Sequence, residues 1–192
     1  MRNRLHTLML SAAVLGVAGL SLAACDPASE AETPGAEVAS TRSDATLTAA
    51  LADQTEAAGF RDVLDNSGLA TALEGVGPYT VFAPTDAALG TDVDGLKDEA
   101  MSAEAAALVR AHIVPGSLGR ADINAAIDAS GNDQAQMRTM GDDILTFTRD
   151  GETIVVTASD GASARLSGAE VQASNGVIQP IDAVLVKTEA AE

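Results

Sequence analysis

Few side chains in this sequence could do chemistry, and their spacing limits what chemistry that could be. The 192 residues include two histidines and one cysteine. A zinc centre draws several Cys or His ligands from short spacings, and no such set exists here. A serine–histidine–acid triad could use only His112, since His6 lies in an N-terminal leader. No Gly-x-Ser-x-Gly turn is present to hold a nucleophile. Asp92, Asp94 and Gly95 look like the start of a calcium loop, but the glycine comes too early and the later oxygen ligands do not fit. A solvated acidic loop is the better reading. His112 closes an apolar helical run and precedes Ile113 and Val114. A buried imidazole there reads as structural, because leaving its ring N–H unpartnered would cost about 1–3 kcal/mol. No catalytic residue, metal or cofactor is expected, and the chain is read as a non-enzyme.

Other ligand chemistry is equally sparse. Phe60, Tyr79, Phe82 and Phe147 are the only aromatics, which starves platforms for stacking bases or sugars. The net charge of −17 repels nucleic acid and anionic lipid headgroups. Met137 and Met140, near Leu145, form the one adaptable apolar cluster.

The residues that remain need elements to place them. Arg2 and Arg4 precede an apolar run from Leu8 to Leu20, followed by Leu22-Ala23-Ala24-Cys25. This pattern predicts a secretory signal peptide over residues 1–24. Leu-Ala-Ala-Cys also resembles the lipobox of bacterial lipoproteins, a resemblance that implies cleavage before Cys25 and lipidation of its thiol. The acidic mature chain would then hold a membrane through acyl chains and not through basic patches. Residues 25–43 have the small, polar composition of a disordered tether, with a mean reach on the order of 25 Å. A folded domain is expected over 44–187, and residues 188–192 are read as a short tail.

Within that domain helical spacing begins near Thr46, and short helices fit Phe60–Leu64 and Leu69–Leu73. Tyr79–Phe82 reads as a strand, after which Pro84, Thr85 and Asp86 suit a stop, a helix cap and a first helical turn. Ser102 reads as the cap of a helix through Ala103 to His112, and Ala121–Ala129 as another helix. Strands are expected at Ile144–Thr148, Thr153–Thr157, Arg165–Leu166, Ala169–Ala173 and Val177–Val186, with an Asp150-Gly151 turn between the first two. Pro180 should sit at an edge or a bulge. Early helices and late strands predict an α+β domain.

Three segments carry a family resemblance. Tyr79–Leu89 (YTVFAPTDAAL) and Ser174–Val186 (SNGVIQPIDAVLV) resemble the two signature segments of the fasciclin domain. Leu108–Leu118 (LVRAHIVPGSL) resembles the tyrosine–histidine segment between them. The resemblance implies a single domain of helices packed around a small, wedge-like pair of β-sheets. Its signature positions here are Thr80, Val81, Phe82, Pro84, Thr85, Asp86, His112, Pro115, Gly116, Asn175, Gly176, Val177, Ile178, Ile181 and Asp182. It also implies that Val81, Phe82, Ile178 and Ile181 share one core. For His112 it suggests a hydrogen bond to a backbone carbonyl or to the Thr85–Asp86 cap. Ala111 stands where the family often has tyrosine, and Gln179-Pro180 where histidine and valine are common, so histidine-dependent recognition is not carried over.

Two functions follow from these readings. The first is an exported, lipid-anchored, non-enzymatic adhesion or protein-interaction module. It would face the periplasm or cell surface and bind an unidentified envelope or surface protein. The second is a carrier of an apolar small molecule such as a carotenoid or lipid, since some fasciclin-like proteins bind carotenoids. The Tyr79–Leu89 junction is read as architecture, with Thr85 and Asp86 satisfying helix-start amides, in preference to an anion site.

Overall fold

The structure is a computed structural model that describes residues 41–42, 44–75, 77–90 and 94–187. The leader, Cys25, the tether as far as residue 40, Asp92 and the tail from 188 lie outside the described residues. Strand β1 (Thr41–Arg42) pairs in parallel with residues 171–172, so the sheet takes in two residues assigned by composition to the tether.

The Thr46 hydroxyl caps helix α1 (Leu47–Ala52), accepting the Ala49 N–H. Helix α2 (Ala58–Asn66) stops before Gly68, whose φ of +70° suits a residue without a Cβ. Helix α3 (Ala70–Leu73) leads to strand β2 (Tyr79–Pro84) and the single-turn helix α4 (Asp86–Leu89). Helix α5 spans Ser102–Ala111. Its cap position is Met101, with no side-chain cap, because a 3₁₀ turn over Glu99–Met101 runs straight into the helix. Ser102 is therefore helical and not the cap. Strand β3 (Ile113–Pro115) and helix α6 (Arg120–Ala129) follow.

The remaining strands are β4 (Gln134–Arg138), β5 (Ile144–Asp150), β6 (Thr153–Thr157), β7 (Ser163–Arg165), β8 (Val171–Ala173) and β9 (Gly176–Ile181). Asp150 pairs with Thr153, so the hairpin loop is Gly151-Glu152, with Gly151 at φ +64°. Strand β9 ends at Ile181, short of the expected Val186, and β8 begins at Val171 and not Ala169.

Two sheets result. One has the order β1-β8-β9-β2-β3, and the other is the antiparallel meander β4-β5-β6-β7. Helices α1, α2, α3 and α5 cover one face of the first sheet, building a core around Leu47, Leu51, Phe60, Leu64, Val81, Val109 and Ile178. The other face, with α6 and the second sheet, builds a core around Phe82, Ile123, Ile127, Leu145, Phe147 and Ile181. The four signature residues expected to share a core are thus divided: Val81 and Ile178 in the first, Phe82 and Ile181 in the second. Alternation decides this, because successive side chains point to opposite faces of a sheet buried on both sides. Met137 and Met140 are divided likewise, packing against the second and first cores, so they form no shared groove.

Pro84 and Pro180 both lie inside the central pair of strands, which the sequence reading did not foresee for Pro180. Each stands where a neighbouring strand has ended. Pairing of β8 with β9 stops at Ile178, and pairing of β2 with β3 stops at Val81. The Pro180 carbonyl faces away from β2 and accepts the Ser167 N–H at 2.8 Å. Past Val81 no β3 pairing remains to need the donor Pro84 lacks, and the Ser167 carbonyl opposite Pro180 accepts from Arg120 instead, so neither breaks the ladder.

Candidate functional site

The signature segments form one structural unit. Strands β2 and β9 run parallel from Tyr79 opposite Gly176 to Pro84 opposite Ile181. A Cβ at Gly176 would collide with the Tyr79 carbonyl oxygen and come within 2.8 Å of Leu47 Cδ1, so close backbone approach requires glycine there. The preceding Asn175 ties two helix ends to the sheet. Its Oδ1 accepts the Leu47 N–H at the start of α1 at 2.8 Å. Its Nδ2 donates to the carbonyls of Leu73 (2.6 Å) and Gly75 (3.1 Å) past the end of α3. Asn175→Ala is expected to lower stability by about 1–3 kcal/mol, since it strips partners from part-buried backbone groups. A denaturant midpoint equal to wild type would remove Asn175 from this role.

The buried Thr80 hydroxyl donates to the Gly116 carbonyl at 2.7 Å and accepts the Leu118 N–H at 2.9 Å. It fastens the turn in which Gly116 takes φ +115°. Pro115 is exposed beside it, and Val177 is buried. The Thr85 hydroxyl accepts the Ala88 N–H at 3.3 Å, as a cap should. Asp86 does something the sequence did not indicate. Its Oδ1 accepts the Gly59 N–H at 2.8 Å, tying α4 to the start of α2 and filling that position with a carboxylate of the chain's own. Asp182 accepts the Arg165 N–H through Oδ1 and donates its own N–H to the Arg165 carbonyl, which covers the outer edge of β7.

His112 is fully buried. Its Nε2 accepts the Leu185 N–H at 2.9 Å, so Nδ1 carries the proton and donates to the Leu108 carbonyl at 2.8 Å. The expected backbone-carbonyl partner is present; the Thr85–Asp86 cap is not the partner. Burial pushes the imidazole down from 6.5 to about 4, against the upward pull of the Leu108 carbonyl. The Phe60 ring lies 5.7 Å away, centroid to centroid. With both nitrogens engaged by backbone and no exposed surface, this ring has no means of passing a proton to a bound substrate.

A polar network surrounds Gln179. Gln179 is buried, and its Nε2 donates to the Leu118 carbonyl and to Glu170 Oε2, both at 3.0 Å. Arg120 Nε donates to Gln179 Oε1 at 3.3 Å, and an Arg120 terminal nitrogen donates to the Ser167 carbonyl at 2.7 Å. Glu170 also accepts the Arg120 backbone N–H at the start of α6 at 2.7 Å. Partial burial lowers the Arg120 pKa, and Glu170 pulls it back up. Neither Arg120 nor Glu170 was legible as a partner of Gln179, since 59 and 9 residues separate them from it in the chain.

An open, mostly apolar groove of about 500 Å³ lies along α5. Leu96, Ala107, Leu108, Ala111 and Val186 line it, with Glu104, Arg110 and Asp143 at polar positions. Among the described residues there is no group of three or more His, Cys, Asp or Glu placed to hold a metal, and no helix long and apolar enough to cross a membrane.

A family model for the fasciclin domain matches residues 55–187. The chain belongs to the fasciclin family. Human Stabilin-1 is 31% identical to this fasciclin domain over 134 residues, covering 66% of the chain but 5% of Stabilin-1. Protein sll1483 of Synechocystis is 30% identical over 123 residues, covering 62% of the chain and 60% of that protein. A solved FAS1 domain pair from the insect cell adhesion molecule Fasciclin I superposes with a TM-score of 0.57 at 24% identity, over 69% of this chain and 46% of that one. The chain therefore spans a small part of Stabilin-1 and less than two thirds of the other two. Fasciclin domains belong to adhesion and protein-interaction proteins, are typically extracellular or secreted, and are generally non-enzymatic. In this fasciclin domain Thr80, Asp86, Asn175 and Asp182 tie separate elements together through hydrogen bonds. The groove, by contrast, is open surface.

Proposed function

We propose that the chain is a lipid-anchored, non-enzymatic adhesion and protein-interaction module of a bacterial envelope. Acyl chains on Cys25 hold it to the membrane, and the fasciclin domain faces the periplasm or cell surface. The observation that carries this reading is a fasciclin domain placed behind a basic leader, an apolar run and Leu22-Ala23-Ala24-Cys25. The net charge of −17 supports it, since such a surface gains nothing from anionic lipid and needs a hydrophobic anchor. Its partner is an envelope or surface protein and not nucleic acid.

Cys25→Ser is expected to abolish incorporation of labelled fatty acid and to move the protein from the membrane to the soluble fraction. Labelling that persists in the variant would sink the anchoring. A pull-down from detergent-solubilised envelope, with the tagged chain as bait, is expected to retain a specific protein. Retention of none would sink the interaction reading.

A further inference from the structure

We propose that the α5 groove docks a basic, amphipathic segment of a partner protein. This rests on the reading of the chain as an interaction module and names the surface and the chemistry of the partner. The groove has the form of an uncovered core. Leu108 and Ala111 are buried at its floor, Leu96 and Val186 are half-buried at its sides, and Ala107 is exposed within it. Small residues at Ala107 and Ala111 allow a partner's backbone to approach closely, while Gly141 lets its own loop pack against α5. Met101, Glu104, Leu108 and Ala111 follow each other at intervals of three and four, so they share one face of α5 and the turn ahead of it. Met101 is the one exposed large hydrophobic residue among those described, and it extends the apolar line beyond the groove.

Charge selects the occupant. Glu104, Asp143 and Arg110 on the groove have no ion pair among the described residues, although Asp143 accepts the Ser159 hydroxyl, whereas Arg61, Lys97, Arg138, Arg149 and Arg165 are each paired elsewhere. Asp98 and Glu99, in the turns leading to α5, are exposed and likewise unpaired among those residues. Arg110 is the single cation of the lining. A second copy of this chain brings a net charge of −17 to an acidic rim and is repelled. An apolar stripe flanked by Lys or Arg meets both the floor and the rim, and the field of the domain speeds its arrival.

The test uses the exported chain carrying Cys25→Ser and a 14-residue amphipathic leucine–lysine peptide as probe. Saturable binding is expected, with hydrogen-exchange protection confined to α5 and residues 140–143 and 186. Ala107→Arg, which fills and charges the groove, should weaken binding at least tenfold, as should Glu104→Lys. Glu152→Lys makes the same charge change at the β5–β6 turn and should weaken it less than threefold. Absence of binding, equal loss in Glu152→Lys, or equal binding of a leucine–glutamate peptide would each overturn the proposal. In the envelope pull-down, a partner that Ala107→Arg still retains would also overturn it while leaving the interaction reading intact.

Discussion

Phe82→Ala is expected to lower the unfolding free energy by about 3–5 kcal/mol, the range for truncating a fully buried phenylalanine. Phe82 has no exposed surface, and its ring meets that of Phe147 at 5.5 Å between centroids. It projects from β2, bonded on one side to β9 and on the other to β3, toward a core that the second sheet and α6 close from the far side. Elements held this firmly collapse little into a void, which puts the cost toward the upper end of the range. For a domain of this size the melting temperature should fall by on the order of 10 °C. Urea denaturation checks this, and a midpoint shift with an unchanged slope is the expected form. Phe82→Ala and Phe147→Ala together should cost less than their separate effects summed, since they share one contact. An unchanged midpoint in Phe82→Ala would remove the residue from the core.

His112→Phe should lower stability at pH 7 by about 2–5 kcal/mol. It keeps a ring of similar size but leaves the Leu185 N–H and the Leu108 carbonyl buried without partners, at about 1–3 kcal/mol each. The cost should also depend on pH in one direction. The unfolded imidazole takes a proton near 6.5, whereas the buried one takes it only near 4. The unfolded chain therefore binds more protons across that window. The stability that neutral His112 confers is complete above pH 6.5 and is lost as the pH falls toward 4. A difference of that size is worth about 3 kcal/mol. The stability gap between wild type and His112→Phe should close by that amount from pH 7 to 4. Carboxylates common to both proteins, including Asp160, cancel in the comparison. Their gap staying constant from pH 7 to 4 would mean that the ring titrates alike in both states.

The sequence by itself determined which segments become which elements, wherever the cause is local. Hydrophobic spacing placed α1, α2, α5 and α6. Alternation placed β5 and β6, and Thr85 was legible as a cap because a cap bonds an amide three residues away, whereas Ser102, read as a cap, is helical because a 3₁₀ turn runs into α5. The α+β class and the family were legible too, since signature segments such as Tyr79–Leu89 and Ser174–Val186 are continuous in the chain. Strand β4 was not legible. Gln134–Arg138 holds no apolar alternation strong enough to read, and β5 supplies what makes it a strand. Tertiary structure decided everything that depends on contact between distant residues. It divided Val81 and Ile178 from Phe82 and Ile181, because the sheet between them is buried on both faces. It also joined Asp86 to Gly59, Asn175 to two helix ends, and Gln179 to Arg120 and Glu170. No spacing in the chain encodes those bonds, which exist only once packing brings their donors and acceptors within 3.5 Å. The groove is of the same kind: Leu96, Ala107, Gly141 and Val186 become one surface only when α5, the 3₁₀ turn Asp94–Lys97, the loop between β4 and β5 and the segment after β9 meet.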